Sequence, residues 1–371
     1  MDFNLSIPVN VISGENCIAK NSEKLLAFGK RCIIVTGGKS ALLSGALKDV
    51  SSALEKENIQ YTVFSEVGPN PLLSVCRRGG ELARSFGADF VLGIGGGSPL
   101  DAAKAVAVFA ANEKMIEREI YTLKERNRAL PIVLVGTTAG TGSEVGRVSV
   151  LSDDETGRKK SIAYEDCNPA LTFADSRYTH SMPYSVTVST ALDALCHALE
   201  GYFSSKCTDI PTMFGEKGVS MIWQGLKQLR ETKALPEKEM RAQLYYGSLY
   251  AGITLAYCGT AFPHPLGYVL TENYGVAHGT ACAVFLCDFM KKARLFEKEK
   301  TEKILSLTNE TFESFCQTIE ELLEVPEIKM TEEEIEKYCS RWSEVIPNNF
   351  RFTPGGYTKD EAQQLFIEKF M

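Results

Sequence analysis

The sequence predicts an α/β N-terminal domain built on a parallel sheet, followed by an all-α C-terminal domain. β-rich apolar runs alternate with helical segments over the first half of the chain, whereas only helical periodicity is found from about Tyr178 onward. A chain of 371 residues also exceeds what one hydrophobic core normally serves. We therefore expect one domain over residues 1–177 and a second over residues 178–371.

The elements of the first domain are predicted from apolar runs and from the glycines that interrupt them. Residues 3–20 are expected to form short strands with a turn at residues 13–16. The alternation that follows is expected to run as strand 31–36, helix 41–58, strand 61–64, helix 72–86, a buried strand from 90, strand 131–135, a hairpin of 147–152 and 159–164, and a last strand at 171–175.

The second domain is predicted from helical spacing and helix-start signals. Apolar residues recur at intervals of three and four over residues 219–232 and 237–257, as expected for helices that face a core. Capping boxes pair Thr331 with Glu334 and Thr358 with Glu361. The strongly charged region that contains them is interpreted as solvated helix faces.

Composition excludes several classes of partner. The net charge is −7 and the basic residues are dispersed, which argues against nucleic acid or an anionic membrane surface as a partner. No apolar run reaches the roughly 18 residues of a membrane span. The N-terminus lacks the basic and apolar regions of a secretion signal, so a cytoplasmic location is expected. The eleven scattered cysteines contain no Cys-x-x-Cys pair and are expected to be free thiols.

A triple glycine follows the strand that begins at Phe90. The segment runs Gly95-Gly96-Gly97-Ser98-Pro99-Leu-Asp101, and its helix-start signals place Ser98 as the N-cap and Pro99 as the first helical residue. Glycines let the backbone approach a ligand closely, and a helix N-terminus offers free N–H groups and positive partial charge. The segment therefore predicts a phosphate cradle, with a merely tight turn as the alternative.

A second loop repeats this theme about forty residues later. Hydroxyl side chains alternate with glycines over residues 136–144, which suits hydrogen bonding to a sugar or a nucleotide, while a solvated connection is the alternative. Two such loops at the carboxyl ends of strands converge on the crevice where open α/β sheets bind ligands. The segment Gly37-Gly38-Lys39-Ser40 is not a triphosphate-binding loop, because position 33 is Ile where that motif needs glycine.

The C-terminal half holds three of the four histidines of the chain. Asp193 and His197 stand four apart in a helical apolar run, so both side chains lie on one face, and His264 and His278 follow downstream. A carboxylate combined with imidazoles suits a divalent transition metal. The alternative for a lone histidine on an apolar face is a core residue with one satisfied hydrogen bond. Cys196, next to His197, is interpreted as a small core residue rather than a redox-sensitive thiol.

These motifs together resemble the iron-containing (group III) alcohol dehydrogenases, in order and spacing, over nearly the whole chain. The resemblance implies a dehydroquinate-synthase-like fold: an α/β nucleotide-binding domain, an all-helical domain and an active site in the cleft between them. It implies a homodimer or a larger homo-oligomer. It also implies that a divalent metal, Fe²⁺ or Zn²⁺, is bound by Asp193, His197, His264 and His278.

The resemblance extends to the cofactor residues. Gly95, Gly96, Gly97, Ser98 and Asp101 match the turn that binds pyrophosphate, and Thr137, Thr138, Thr141 and Ser143 match the loop around the adenine and the nicotinamide ribose. Lys160 is similar in placement to a lysine that reaches this ribose.

The chain departs from the family pattern at two functional positions. Many members carry a proton-relaying histidine four residues after the third metal ligand, where this chain has Tyr268, so the relay is expected to use Tyr268, the cofactor ribose or water. NAD-selective members often carry an Asp directly after the first strand, where this chain has Gly37, followed by Lys39 and Ser40. A missing carboxylate and a nearby cation favour NADP(H) over NAD(H).

The expected function is the interconversion of a small primary alcohol and its aldehyde by hydride transfer, with the metal as Lewis acid. A lyase of the dehydroquinate-synthase type and an NAD-preferring polyol dehydrogenase are the alternatives. No Lys or Arg lies between Phe262 and His278, which counts against a phosphorylated sugar-acid substrate. The motifs do not define which alcohol or aldehyde is used.

Overall fold

The structure, a computed structural model, describes residues 6–371, so the part of the predicted 3–20 strand region that falls on residues 3–5 lies outside the described residues. The described chain divides into two compact units. The first ends at Pro183, and the second spans Tyr184–Met371. Each unit has its own secondary-structure class, so the two are described separately below.

The first unit alternates strands and helices. Its strands are β1 (Asn10–Ser13), β2 (Arg31–Val35), β3 (Gln60–Phe64), β4 (Phe90–Gly95), β5 (Ile132–Gly136), β6 (Ser149–Ser152), β7 (Lys159–Ile162) and β8 (Leu171–Ala174). Its helices are α1 (Cys17–Lys20), α2 (Ser40–Leu43), α3 (Ala46–Lys56), α4 (Leu73–Phe86) and α5 (Gly97–Ala111). Six strands form one parallel sheet in the order β1-β8-β5-β4-β2-β3, which confirms the predicted α/β architecture.

The sheet is buried on both faces, as parallel sheets usually are. Along β2, Ile33 and Val35 contribute to one core layer, while Cys32 and Ile34 contribute to the layer on the opposite face. This alternation follows from the two-residue period of a strand. The near-continuous apolar strands β2, β4 and β5 therefore occupy the middle of the sheet.

The strand order reverses at β2. Strand β3 pairs with one edge of β2, and the chain then crosses to form β4 on the other edge before continuing to β5. Val35 is level with Gly93, and Gly95 is level with Gly136. The loops that follow β2, β4 and β5 therefore leave the same edge of the sheet, at the switch point where open α/β sheets bind ligands.

Two predicted elements of the first unit differ from the structure. The described part of the 3–20 region holds one strand, β1, after which the chain turns into the short helix α1. The predicted helix 41–58 is two helices, α2 and α3, because Gly45 adopts a φ of +82° and interrupts the hydrogen-bonding pattern. The predicted hairpin is confirmed as the antiparallel pair β6–β7, in which Val150 is level with Ser161.

The second unit is helical over its described residues, as predicted. Its helices are α6 (Tyr184–Phe203), α7 (Asp209–Thr232), α8 (Lys238–Cys258), α9 (Pro263–Tyr274), α10 (His278–Ala283), α11 (Leu286–Phe296), α12 (Lys298–Thr308), α13 (Phe312–Leu322), α14 (Glu332–Ser340), α15 (Asn348–Phe352) and α16 (Lys359–Phe370). Both predicted capping boxes are present, at the starts of α14 and α16.

Helix α6 is the central element of this unit. Its residues are buried on every side over its C-terminal two thirds, which is expected of a helix that packs against others all round. At Gly201 an added Cβ atom would stand 2.8 Å from Thr254 Cγ2, so α6 and α8 approach each other closely near their C-terminal ends. Among residues 6–371, the structure contains no helix with the length and hydropathy needed to cross a bilayer.

Candidate active site

The first two predicted metal ligands lie on α6. Asp193 and His197 are one helical turn apart and both are buried, with His197 Nε2 3.7 Å from Asp193 Oδ1. An α-helix places residues four apart on the same face, so the sequence spacing alone brings these two groups together.

The third predicted ligand stands at the beginning of α9. His264 is the second residue of this helix and lies between Pro263 and Pro265. Proline is tolerated in the first turn, where its missing N–H has no intrahelical acceptor. The Phe262 amide donates to Thr353 Oγ1 at 3.2 Å, which fixes the backbone just before the helix. His264 is consequently held in a defined position in the buried interior of the unit.

The fourth predicted ligand, His278, is the first residue of α10. Two glycines allow this short helix to pack tightly against its neighbours. A Cβ atom at Gly279 would lie 1.9 Å from the Ser189 carbonyl oxygen on α6, and one at Gly267 on α9 would lie 2.8 Å from the Cys282 amide nitrogen. The glycine after His278 thus permits the approach that brings this histidine to Asp193.

Three imidazoles surround the carboxylate of Asp193. Asp193 Oδ1 lies 3.7 Å from His197 Nε2, 3.8 Å from His264 Nε2 and 3.7 Å from His278 Nε2. Atoms that share one ion through bonds of about 2.1 Å stand about 3 to 3.8 Å apart at bond angles between 90° and 125°. One buried carboxylate and three imidazoles with this spacing fit a divalent transition metal.

A second carboxylate, that of Glu200, contacts the ring nitrogen of His264 that points away from Asp193. Glu200, fully buried on α6, lies with Oε1 2.7 Å from His264 Nδ1, and its Oε2 accepts a hydrogen bond from the Ala261 amide at 2.7 Å. Burial raises the pKa of Glu200, and the neighbouring His264 opposes that rise. A carboxylate on the outer nitrogen of a metal-binding histidine orients the ring and fixes its tautomer. The sequence reasoning did not select Glu200, although its position three residues after His197 places it on the same helical face.

The cluster has one more accessible side. The His278 side chain is 31% exposed, against 6% for His197 and 4% for His264. The Tyr268 ring stacks on His278, with the two centroids 5.5 Å apart and the planes inclined by 19°. The side of the cluster next to His278 and Tyr268 is therefore its more accessible side.

Two cysteines lie beside the ligands. Cys282 Sγ is 3.9 Å from His278 Nε2, and its sulfur belongs with Asp193, His264 and His278 to a group whose ligand atoms all lie within 4.8 Å of one another. Cys196 is fully buried on α6, and desolvation raises its pKa. The predicted core position of Cys196 is therefore confirmed.

The first unit holds the predicted cofactor loops, and its helix α5 begins earlier than predicted. The N-cap is Gly96 and the helix starts at Gly97, so Ser98 is the second helical residue rather than the cap. The Ser98 hydroxyl instead accepts a hydrogen bond from the Asn70 amide at 3.3 Å. Pro99 still falls in the first turn, where it removes no intrahelical hydrogen bond.

The two glycine-rich loops pack directly against each other. Added Cβ atoms would lie 2.9 Å from Thr138 Cγ2 at Gly96 and 2.6 Å from Thr141 Cγ2 at Gly97. The Thr137 amide donates to the Gly95 carbonyl at 2.8 Å. The Thr137 hydroxyl is buried and has no hydrogen-bond partner among the described residues. An unsatisfied buried hydroxyl at this edge of the sheet fits a loop that binds a polar ligand.

Asp101 and Ser143 bind each other inside the unit. Ser143 Oγ donates to Asp101 Oδ1 at 2.6 Å, and Asp101 Oδ2 accepts from the Val150 amide at 2.8 Å. The fully buried Lys104 donates to Ser143 Oγ at 2.7 Å, to the Ser143 carbonyl at 2.9 Å and to the Val148 carbonyl at 2.8 Å. All three ammonium hydrogens have acceptors, so this network joins α5, the second loop and the hairpin.

The segment after β2 is shaped by its first glycine. A Cβ atom at Gly37 would lie 1.9 Å from the Val67 carbonyl oxygen, so no larger residue fits there without a backbone movement. Gly38 has a φ of +53° and open space around it, and Lys39 and Gly38 are exposed. Ser40, half-buried, is the first residue of α2.

Lys160, the last predicted cofactor residue, lies on β7. Its ammonium is 4.7 Å from the centroid of the Tyr121 ring, a cation–π contact within the first unit. Its role toward the cofactor stays a prediction.

Sequence reasoning also missed a buried acid at the end of the second loop. Glu144 is 2% exposed, and its carboxylate packs against Gly136, where an added Cβ atom would lie 1.8 Å from Oε1. Desolvation raises the pKa of Glu144 to about 7, while Lys104 lowers it and Asp101 raises it further. A glutamate in a polar loop carries no local signal of burial, which explains the omission.

Comparison with known proteins agrees with this architecture. The family description "Iron-containing alcohol dehydrogenase" matches residues 8–176, and that of the family's C-terminal domain matches residues 187–340. An NADPH-dependent butanol dehydrogenase of Clostridium saccharobutylicum is 29% identical over 81% of this chain and 78% of its own length. NADH-dependent butanol dehydrogenase A of Clostridium acetobutylicum is 28% identical over 78% of this chain and 75% of its own length. The crystal structure of an iron-containing alcohol dehydrogenase from Thermotoga maritima shares 32% identity, covers 100% of this chain and 99% of that chain, and superimposes with a TM-score of 0.91.

The fold is the dehydroquinate-synthase-like fold, with a parallel-sheet α/β unit and a helical unit. Within it, the chain belongs to the iron-containing alcohol dehydrogenase family. It is an oxidoreductase of the alcohol and aldehyde class, and the family implies both a metal and a nicotinamide cofactor.

Proposed function

We propose that this protein interconverts a small primary alcohol and its aldehyde, using NADP(H) and one divalent metal ion, Fe²⁺ or Zn²⁺. The observation that carries the proposal is the position of Asp193 Oδ1, within 3.8 Å of the Nε2 atoms of His197, His264 and His278. This donor set leaves a more accessible side at His278, where a small substrate has room to enter.

Each residue has a defined part in this proposal. Asp193, His197, His264 and His278 hold the ion, and Glu200 orients His264 through Nδ1. A bound ion supplies Lewis-acid polarisation of the substrate oxygen, and the nicotinamide carries the hydride. Tyr268, stacked on His278, is the side chain that we propose to exchange a proton with the substrate oxygen or with water.

We propose that the first unit binds the dinucleotide at the carboxyl edge of its sheet. Gly95, Gly96 and Gly97 give the pyrophosphate access to the backbone, and Ser98 lies in the first turn of α5 beside them. Thr137, Thr138 and Thr141 offer hydroxyl groups from the adjoining loop. Because the Ser143 hydroxyl donates a hydrogen bond to the Asp101 carboxylate, these two residues contribute by holding the two loops in position.

Removing single ligands tests the metal site. Asp193→Asn keeps the side-chain shape but loses the negative charge, and His278→Ala removes one imidazole; each is expected to lose bound metal and turnover together. His180→Ala is the matched control, because His180 is the one histidine outside the cluster. Metal content by elemental analysis and NADPH oxidation with a panel of small aldehydes are the measurements. A ligand variant that keeps full turnover without bound metal would falsify the site.

The preference for NADP(H) rests on the segment after β2. The Val67 carbonyl occupies the space that an acid at position 37 would need, and Lys39 is an exposed cation two residues further on. We therefore propose that Lys39 and Ser40 accept the 2′-phosphate. This assignment would distinguish the protein from an NAD-preferring polyol dehydrogenase, one of the two alternatives.

Position 38 allows a test with a matched control. Asp and Asn both tolerate the left-handed conformation at Gly38, and open space surrounds it. Gly38→Asp is expected to lower the ratio of kcat/KM for NADPH to that for NADH by about tenfold, equivalent to about 1.4 kcal/mol. Gly38→Asn, of nearly the same shape without charge, is expected to leave the ratio close to that of the unchanged protein. A protein that already prefers NADH, with Lys39→Ala leaving the ratio unchanged, would contradict the assignment.

Tyr268→Phe tests the proton relay. If Tyr268 transfers the proton, removal of its hydroxyl changes the pH dependence of kcat while metal content is retained. An unchanged pH–rate profile would remove Tyr268 from the relay and leave the ribose or water.

The remaining proposals concern the location, oligomeric state and partners of the protein. We propose a cytoplasmic homodimer or larger homo-oligomer with no nucleic-acid or membrane partner. Sedimentation equilibrium of the purified protein, with and without added nucleic acid, tests the oligomer and the absence of such a partner.

A further inference from the structure

The structure describes all eleven cysteines as free thiols, as the sequence predicted. Cys282, on α10, is fully buried and lies beside the metal cluster. A buried cysteine usually serves as a small apolar core residue. The groups around the Cys282 sulfur differ from those that such a residue needs.

Helical spacing places Cys282 next to His278. The two residues stand four apart on α10, so their side chains share one face of the helix. The Cys282 Sγ atom lies 3.8 Å from Nδ1 and 3.9 Å from Nε2 of His278. Asp193 and His197 have the same spacing on α6. Each of the two helices therefore carries two possible metal donors on one face.

Helix packing brings the Cys282 sulfur close to α9 as well. Gly267 lies three residues after His264 on that helix. A Cβ atom added at Gly267 would stand only 2.9 Å from Cys282 Sγ. A side chain at position 267 would thus occupy the space that the sulfur needs, and the glycine allows Cys282 to lie next to the turn that carries His264.

The sulfur has the spacing of a metal donor. The ligand atoms of Asp193, His264, His278 and Cys282 all lie within 4.8 Å of one another. A sulfur about 2.3 Å from an ion and a nitrogen about 2.1 Å from it stand about 3.1 to 3.9 Å apart at bond angles between about 90° and 125°. The 3.9 Å between Cys282 Sγ and His278 Nε2 lies at the upper end of this range. The two atoms are therefore close enough to share one ion.

We propose that Cys282 is a thiolate ligand when Zn²⁺ occupies this site, as a further donor beside the carboxylate and the imidazoles. The inference rests on the metal site of the proposed function. As the ion binds, the thiol releases its proton to solvent and the sulfur donates a lone pair to the ion, so nothing is oxidised or reduced. Thiolate suits Zn²⁺, whereas carboxylate and water suit harder ions such as Mn²⁺. Cys282 is in this way a determinant of which ion the site retains.

X-ray absorption spectroscopy of the zinc-loaded protein tests the coordination directly. The buffer is free of thiols and chloride, because both can supply a scatterer at a similar distance. One sulfur at about 2.3 Å is expected beside nitrogen and oxygen at about 2.0–2.2 Å. A zinc shell of nitrogen and oxygen alone would overturn the inference and leave the metal site of the proposed function intact. A protein that retains no zinc would overturn both.

Two cysteine variants identify the source of the sulfur. Cys282→Ser is expected to lose the sulfur scatterer but to keep bound zinc, because Asp193 and the three imidazoles remain. Cys196→Ala is the matched control, since Cys196 is the other cysteine beside the ligands, and it is expected to keep the scatterer. A sulfur scatterer that persists in Cys282→Ser would overturn the assignment.

Metal selectivity provides an independent measurement. Competition with a chromogenic chelator gives the affinities of the unchanged protein and of Cys282→Ser for Zn²⁺ and for Mn²⁺. The affinity for Zn²⁺ is expected to fall at least about tenfold in the variant and that for Mn²⁺ less than about twofold. An equal loss for the two ions would overturn the inference, because the substitution would then act on the whole site rather than through a sulfur–zinc bond.

Discussion

Glu200 Oε1 lies 2.7 Å from His264 Nδ1, and the other oxygen of the same carboxylate binds the Ala261 amide. One buried acid therefore fixes both the ring of His264 and the backbone three residues before it. With Nδ1 donating to Glu200, the lone pair of Nε2 faces Asp193 and His197, as a metal ligand requires. The relationship joins α6 to the segment that leads into α9.

Glu200→Gln is expected to weaken metal binding. An amide has only one acceptor oxygen, so either the Ala261 amide or His264 Nδ1 would face an NH₂ group. The affinity for Zn²⁺ or Co²⁺, measured by competition with a chromogenic chelator, should fall about 10- to 100-fold. Glu310→Gln is the control, because this carboxylate of the same unit pairs with Lys227 instead. Unchanged affinity in Glu200→Gln would remove the residue from the support of the site.

Gly279→Ala is expected to separate α10 from α6. The new methyl group would meet the Ser189 carbonyl at 1.9 Å and Asp193 Cβ at 2.7 Å, and backbone atoms cannot rotate away. Overpacking of this kind lowers the free energy of unfolding by about 1–3 kcal/mol, and the displaced His278 should lower metal occupancy as well. Urea unfolding and elemental analysis measure the two effects. Gly68→Ala, at a glycine with nothing within 4 Å, should change neither.

Glu144 is expected to make stability depend on pH. Burial raises the pKa of Glu144 from its ordinary 4.5 to about 7. The contribution of the protonated acid to the free energy of unfolding is therefore fully present below about pH 4.5 and is lost as pH rises through 7. Gln mimics the protonated form. Glu144→Gln should therefore match the unchanged protein at about pH 4 and exceed its free energy of unfolding by up to about 3 kcal/mol at about pH 8. Parallel urea curves at both pH values check this, and an equal difference at the two would contradict it.

Lys104→Met is expected to lower the stability of the first unit. The substitution leaves Ser143 and Val148 without their buried donor and Asp101 without its cation. Removal of one partner from a buried charged network costs about 3–5 kcal/mol in the free energy of unfolding. Because Ser143 belongs to the second loop, NADPH affinity measured by fluorescence titration should also fall. The exposed Lys114→Met is the control, and equal stability of the two variants would argue against the network.

The sequence predicted the elements that have a strong periodic or capping signal. The predictions of helix α8 and of the capping boxes of α14 and α16 agree with the structure, because local rules decide these features. The predicted start of α5 was wrong. Serine is a favoured N-cap residue, but the Ser98 hydroxyl accepts a hydrogen bond from the Asn70 amide, and Gly96 is the N-cap. Tertiary contact overrode a local preference there.

In the candidate site, too, features set by local sequence could be predicted and features set by tertiary contacts could not. Asp193 and His197 could be found from helical spacing, but nothing in one sequence places His264 and His278 beside them except resemblance to a family. The roles of Glu200, Glu144 and Lys104 were not predicted. All three are buried, and the burial of a charged side chain depends on segments that are distant in the sequence. The spacing of apolar residues shows which face of a helix is buried, but it does not show which residues of other segments pack against that face.

The carbonyl of Val67 leaves no room for a side chain at position 37, because an added Cβ atom would stand 1.9 Å from its oxygen. A charge at that position would therefore require the backbone around Val67 to move. Position 38 has open space around it, so an engineer who wishes to change the charge of this segment has to begin there.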